Sequence, residues 1–199
     1  MTRDWHAWHA DYDEPGSPLE RRLRIVQGHV RAWVAEGAPG RRVVSACAGQ
    51  GRDLVGVLPD GYPARLVELG PANAAVAAAN AGPDMEVVVA DAGVTDAYVG
   101  AAPADLVLMC GVFGNVPDDD VRRTVEALPM LCARGATVIW TRTRRAPDLT
   151  PSIRRWFEGN GFSERAFDAP DGVEFTVGVH RFHGEPRPLR AGDRMFAFG

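Results

Sequence analysis

The chain has 199 residues, 46% of them hydrophobic and 24% charged, which suits one ordinary domain with a sizeable core. A net charge of −4 supplies no basic field for a phosphate backbone, and no run of 18 apolar residues marks a membrane span, so both partners are counted out. All 22 basic residues are arginine, which removes the mechanisms that need a lysine amine: a Schiff base, a pyridoxal phosphate anchor, a P-loop lysine.

Residues 1–17 are aromatic and polar, with Trp5, His6, Trp8, His9 and Tyr12 ahead of a Pro15-Gly16-Ser17-Pro18 break. They contain no apolar h-region, and a cytoplasmic protein is expected. Ser17 reads as a helix N-cap, with Pro18 at the first helical position and Glu20 at capping-box spacing. Leu19, Leu23, Val26, Val30, Trp33 and Val34 then recur at helical spacing until Gly37-Ala38-Pro39-Gly40. Cys47, Cys110 and Cys132 are odd in number and lack CxxC spacing, which argues against a disulfide framework and a zinc site.

From Arg42 onward short apolar runs alternate with helical stretches. Strands are predicted at 43–47, 64–69, 85–90, 106–110 and 136–141, and helices at 52–58, 72–81, 118–132 and 151–160. That rhythm predicts a parallel sheet covered on both faces. Residues 162–167 and 175–182 are joined by Asp168-Ala169-Pro170-Asp171-Gly172, too short for a helix, so they should pair antiparallel.

The sharpest motif is Val43-Val44-Ser45-Ala46-Cys47-Ala48-Gly49-Gln50-Gly51-Arg52-Asp53-Leu54, a strand, a glycine turn and a helix start. Gly49 and Gly51 permit dihedrals that side chains forbid and let a ligand approach the backbone. Glu68 ends the next strand, 19 residues after Gly49, where an acid can bond both hydroxyls of a ribose. Asp91 follows the third strand, where a carboxylate can accept from an adenine amino group.

With these residues the chain resembles the class I S-adenosylmethionine (SAM)-dependent methyltransferases over roughly residues 40 to 182, as a small stand-alone bacterial member. VVSACAGQGRD occupies the place of the glycine motif, ARLVELGP that of the ribose-binding strand and VVVADA that of the adenine-side acid. ADLVLMCGVFGNV resembles the fourth strand and the segment lining the methionine end, and LPMLCARGATVIWTRTR the following helix and strand. Ser45 and Cys47 stand where the family commonly has an acid and a first glycine, and Gly70 where it often has a second acid.

The resemblance implies an α/β fold: a Rossmann-like, seven-stranded, mostly parallel sheet with helices on both faces and strand order 3-2-1-4-5-7-6. It implies one methyltransferase domain over residues 1–199, of which 1–37 form a lid segment and helix. SAM would be the cofactor, held by Ala48, Gly49, Gly51, Asp53, Glu68, Leu69, Asp91, Ala92, Cys110, Gly111 and Val112. The methyl acceptor would be a small molecule, with transfer to oxygen or nitrogen, and Asn115 and Arg142 would contact it. His9 and Tyr12 are the candidate base or positioning groups, on the expectation that the N-terminal segment covers the cofactor.

Other readings stand beside it. The same fold could bind SAM or a partner without methyl transfer. An NAD-dependent oxidoreductase would need Gly-x-Gly-x-x-Gly, and Leu54 stands where the third glycine would fall. Asp118-Asp119-Asp120 reads as a helix start, and no metal site is assigned. His180 and His183 should point to opposite faces of the last strand. Arg144 and Arg145, like Arg142, follow the fifth strand at the edge where open sheets hold ligands.

Overall fold

In the computed structural model, which describes the backbone of residues 9–198 and the side chains of 11–198, Ser17 caps α1 (Pro18–Ala35). Its hydroxyl accepts from the Glu20 amide at 3.0 Å, while the Glu20 carboxylate accepts from the Gly16 amide at 3.3 Å. Two orphan donors are thereby satisfied. Val26, Val30 and Trp33 form the buried face of α1, and burying each valine contributes roughly 1.5–3 kcal/mol.

The sheet contains β1 (Val43–Ala46), β2 (Ala64–Glu68), β3 (Met85–Val89), β4 (Ala104–Met109), β5 (Cys132–Thr143), β6 (Phe162–Asp168) and β7 (Phe175–Phe182). Its order is β3-β2-β1-β4-β5-β7-β6. The first five strands run parallel, and β7 lies antiparallel to both β5 and β6, as the short 168–172 connection requires. The remaining helices are α2 (Pro71–Asn80), α3 (Asp118–Ala127) and α4 (Thr150–Gly159). Among the described residues no helix is long and apolar enough to cross a membrane.

Alternation along the strands divides the interior into two cores. Leu106 and Leu108 of β4 join Val26, Val30, Trp33, Leu54 and Ala77 on one face. Val107 and Met109 join α3, α4 and, from the far end of the chain, Met195 and Phe196 on the other. At the β5–β7 pair Trp140 lies opposite Gly178, where an added Cβ would come within 2.2 Å of the indole. Only glycine leaves room for that ring.

Three elements depart from the sequence reading. Residues 52–58 do not form a regular helix. Val55 donates to Gly51 O and Leu58 to Leu54 O, both at 2.8 Å, but Gly56 at φ +72° breaks the run between them. The helix expected at 118–132 ends at Ala127 and passes into a 3-10 turn, Leu128–Met130, because Pro129 offers no amide and crowds the preceding turn. Cys132 therefore opens β5, which is twice the expected length. Residues after β7 also form a strap with no regular structure that returns across the sheet. Arg187 donates its amide to Pro129 O, Thr95 to Asp193 O and Met195 to Gly93 O.

Candidate cofactor and active site

The parallel strands end on one edge, where the chain turns and exposes backbone groups, and a cavity of about 260 Å³ lies there. Each strand end supplies part of its lining. Cys47, Ala48, Gly49 and Asp53 follow β1; Glu68, Leu69 and Gly70 end β2, with Asn73 beside them on α2. Asp91 and Ala92 follow β3, and Cys110, Gly111 and Asn115 follow β4. Tyr12, Arg22 and Phe198 close it from outside the sheet.

Backbone strain marks the β1 turn. Cys47 adopts φ +52°, the left-handed region that costs a non-glycine residue roughly 1–2 kcal/mol. It stands where the resembling family has its first glycine, which accounts for glycine's use there. Gly49 and Gly51 follow at +57° and +76°. Gly51 lies beneath the turn rather than against the cavity, and a Cβ on it would come within 3.0 Å of Leu66 and Val55. Its part is to let the turn pack down.

Glu68 is held at both oxygens. One oxygen accepts from the Gly49 amide at 2.8 Å and the other from the Gly70 amide at 2.7 Å. Two backbone donors orient the carboxylate across the cavity, and each oxygen keeps a second lone pair for a hydroxyl. Asp91 is held comparably, by the Gly93 amide at 2.8 Å and the Arg194 guanidinium at 3.0 Å.

The other end of the cavity carries both signs of charge. Arg22 of α1 donates to the Tyr12 hydroxyl at 2.5 Å. Burial pushes the Tyr12 phenol up to about 12, Arg22 opposes that shift, and Asp53 and Cys110 add to it. Burial also raises the Cys110 thiol well above its usual range; Asp53, which shares a hydrogen bond with it, raises it further, and Arg22 opposes. Asp53, Arg22, Tyr12 and Cys110 are therefore one electrostatic neighbourhood. Burial raises Cys47 as well, with Glu68 and Asp91 adding to it. Both cavity thiols stay protonated, which makes them poor nucleophiles.

Three of the expected residues stand elsewhere. Gly51 lies under the turn, and Val112 is fully buried in the core shared with α3. Arg142 sends its guanidinium to the Phe113 carbonyl and to Asp118 at 2.9 Å, bracing the segment after β4 instead of lining the cavity. Arg144 donates to the Pro170 and Val173 carbonyls and Arg145 pairs with Glu174. His180 is buried and His183 exposed, bonded to Ser163, on opposite faces as their spacing implied. His29 pairs with Asp168 at 2.6 Å. Trp5, His6, Trp8 and the side chain of His9 lie outside the described residues. Five lining residues were not among the expected ones: Cys47 and Gly70, seen in the sequence only as motif positions, and Arg22, Asn73 and Phe198, of which Arg22 alone carried any signal, as a charge one turn from the buried face of an otherwise amphipathic helix.

A seven-stranded sheet in this order, with acids at the ends of β2 and β3 and a reversed last pair, is the fold of the class I SAM-dependent methyltransferases. Among solved structures it is similar to magnesium protoporphyrin IX methyltransferase from Synechocystis PCC 6803 with bound S-adenosylhomocysteine (SAH), at 15% identity over 89% of this chain and 93% of that one, TM-score 0.67. It is likewise similar to a TehB-like SAM-dependent methyltransferase from Corynebacterium glutamicum, at 17% identity over 83% and 96% of the two chains, TM-score 0.62. A third is 1,6-didemethyltoxoflavin-N1-methyltransferase from Burkholderia thailandensis with its substrate and SAH, at 17% identity over 92% of each chain, TM-score 0.64. No protein-family model and no curated protein sequence matches the chain.

Proposed function

We propose that the protein is a cytoplasmic SAM-dependent methyltransferase acting on a small molecule, at oxygen or nitrogen. The observation that carries this reading is Glu68, pinned between the Gly49 and Gly70 amides in the cavity that also holds Asp91 and the Arg22–Asp53 neighbourhood. The donor set fits SAM from end to end. Glu68 would take the ribose hydroxyls and Asp91 the adenine amine, while Arg22 and Asp53 match the carboxylate and ammonium of the amino-acid end. Asp53 thus supplies the acid that Ser45 does not, since Ser45 is buried within β1. The proteins of similar fold named above include methyltransferases of a porphyrin and of a toxoflavin precursor, which supports a small acceptor. A nicotinamide dinucleotide suits the edge less well: its pyrophosphate needs a helix N-terminus after the glycine turn, and residues 51–58 form no regular helix.

When bound, SAM supplies a methyl group on a sulfonium, open to in-line displacement. The protein's task is then alignment, desolvation and, for a hydroxyl acceptor, removal of a proton. Tyr12 covers the cavity as a phenol, so at neutral pH it donates a hydrogen bond and orients the acceptor without taking its proton. Asn115 stands on the same side, its amide nitrogen donating to Gly111 O at 2.6 Å, which holds the loop after β4 against the cavity. His9 remains the candidate base. Parallel calorimetric titrations with SAM, SAH and NAD test the class. Micromolar binding of SAM or SAH without NAD is expected, with Glu68→Ala and Asp91→Ala each losing roughly 1–3 kcal/mol. Silence from SAM and SAH, or unchanged affinity in both variants, overturns it.

A further inference from the structure

The strap after β7 is fastened more firmly than a loose tail requires. Val94 and Arg194 form an antiparallel bridge, and the Ala197 amide donates to Asp120 at 2.9 Å. Met195 and Phe196 are fully buried, and the Thr124 hydroxyl reaches Met195 O at 3.3 Å. Gly93 fits beneath so closely that a Cβ there would stand 2.1 Å from Phe196 O. All of this delivers one residue to the cavity. Phe198 lines it, its ring 5.9 Å from that of the buried Phe196 and edge-on to it. Phe198 and Leu69 are among the few large apolar side chains that remain substantially exposed, at 39% and 63%, and both line the same cavity. Exposed apolar side chains beside two fixed carboxylates in one cavity suit a planar base.

We propose that residues 193–198 complete the cofactor site as its purine wall, with Phe198 packing on adenine and Arg194 holding Asp91 toward it. This rests on the SAM reading above and adds a binding residue from a segment outside the sheet. Arg194 places its guanidinium on one Asp91 oxygen while the Gly93 amide takes the other, so the strap and the acid are positioned as one unit. A stacked aromatic recognises the face of the base, and the acid its edge.

Titration of the full chain with SAH and with 5′-methylthioadenosine, which keeps the purine and lacks the amino acid, tests the wall. Phe198→Ala is expected to weaken both ligands by the same factor, about tenfold. Phe198→Trp restores both and gives a ligand-quenched fluorescence signal, and the ligand-free melting temperature stays unchanged in each. Arg22→Ala supplies the contrast, weakening SAH and sparing methylthioadenosine. Parent-like affinity in Phe198→Ala, or a loss confined to SAH, overturns the wall while leaving the cofactor reading intact. Failure of the parent chain to bind either compound overturns both.

Discussion

The carboxylate of Asp13 grips the guanidinium of Arg52 with both oxygens, at 2.6 and 3.0 Å. Arg52 follows Gly51 directly, and its guanidinium also lies 5.5 Å from the centre of the Tyr12 ring. A short N-terminal 3-10 turn, His9–Asp13, is thereby tied to the turn that would cradle the cofactor, and Tyr12 belongs to it. The pair holds the Asp13 carboxyl below its usual range, the hydrogen bond from Arg52 being the main cause.

Asp13→Ala should therefore speed SAH release severalfold without lowering the melting temperature. An exposed pair is screened by salt, so 1 M NaCl should bring the parent toward the variant. Stopped-flow release at low and high salt checks this; identical release rates would show that the clasp holds nothing.

Glu68→Gln separates orientation from charge. A carboxamide cannot accept on both sides, so its NH2 would face the Gly49 or the Gly70 amide, donor against donor. The variant should lose about 1–3 kcal/mol of stability even without ligand. Urea unfolding of the ligand-free protein measures it, and a midpoint equal to that of the parent contradicts the pinned geometry.

Tyr12, with its pKa pushed up to about 12, stays protonated through the physiological range. Tyr12→Phe should lower kcat/KM by about tenfold through the lost hydrogen bond, with no limb of the pH–rate profile displaced. Disappearance of a limb near neutrality in that variant would make Tyr12 the base after all.

His180 sets an acid limit on stability. Its ring stacks on Phe157, centroids 4.2 Å apart, and accepts the Trp140 indole N–H at Nδ1. Burial lowers its pKa to about 4, against which Glu164 acts and to which Arg154 adds. The unfolded chain protonates this histidine near 6.5, so between pH 6.5 and 4 it binds the extra proton. The stabilisation is fully present above pH 6.5 and is lost as pH falls toward 4, by up to about 3 kcal/mol. Urea midpoints at pH 7 and 4.5 should differ accordingly, and His180→Phe should flatten that difference.

Glu68 and Asp91 were legible in the sequence because a parallel sheet turns chain order into position. A strand of known direction ends on a known edge, and the residue that ends it stands there. The glycine turn was legible for a similar reason, its dihedrals being a property of a few adjacent residues. The helix expected at 52–58 failed on one local detail, Gly56 at φ +72°, which hydrophobic spacing does not register. Arg142 was legible only in part: it stands at the expected edge, but its guanidinium is taken up by Phe113 O and Asp118, partners that lie 29 and 24 residues away in the chain.

Local preference and periodicity located the seven strands, the α1 cap and the acids of the sheet edge, while the strand order came from the resemblance to a known family. Tertiary structure decided what surrounds them. Arg22 joins Asp53 and Cys110 at the cavity only because α1 packs against the β1 turn, and Phe198 reaches the cavity only because Phe196 is drawn into a core shared with Val121 and Val125, far earlier in the chain. Such pairings depend on which buried surfaces find one another across the chain, and a sequence pattern read one window at a time carries no term for that.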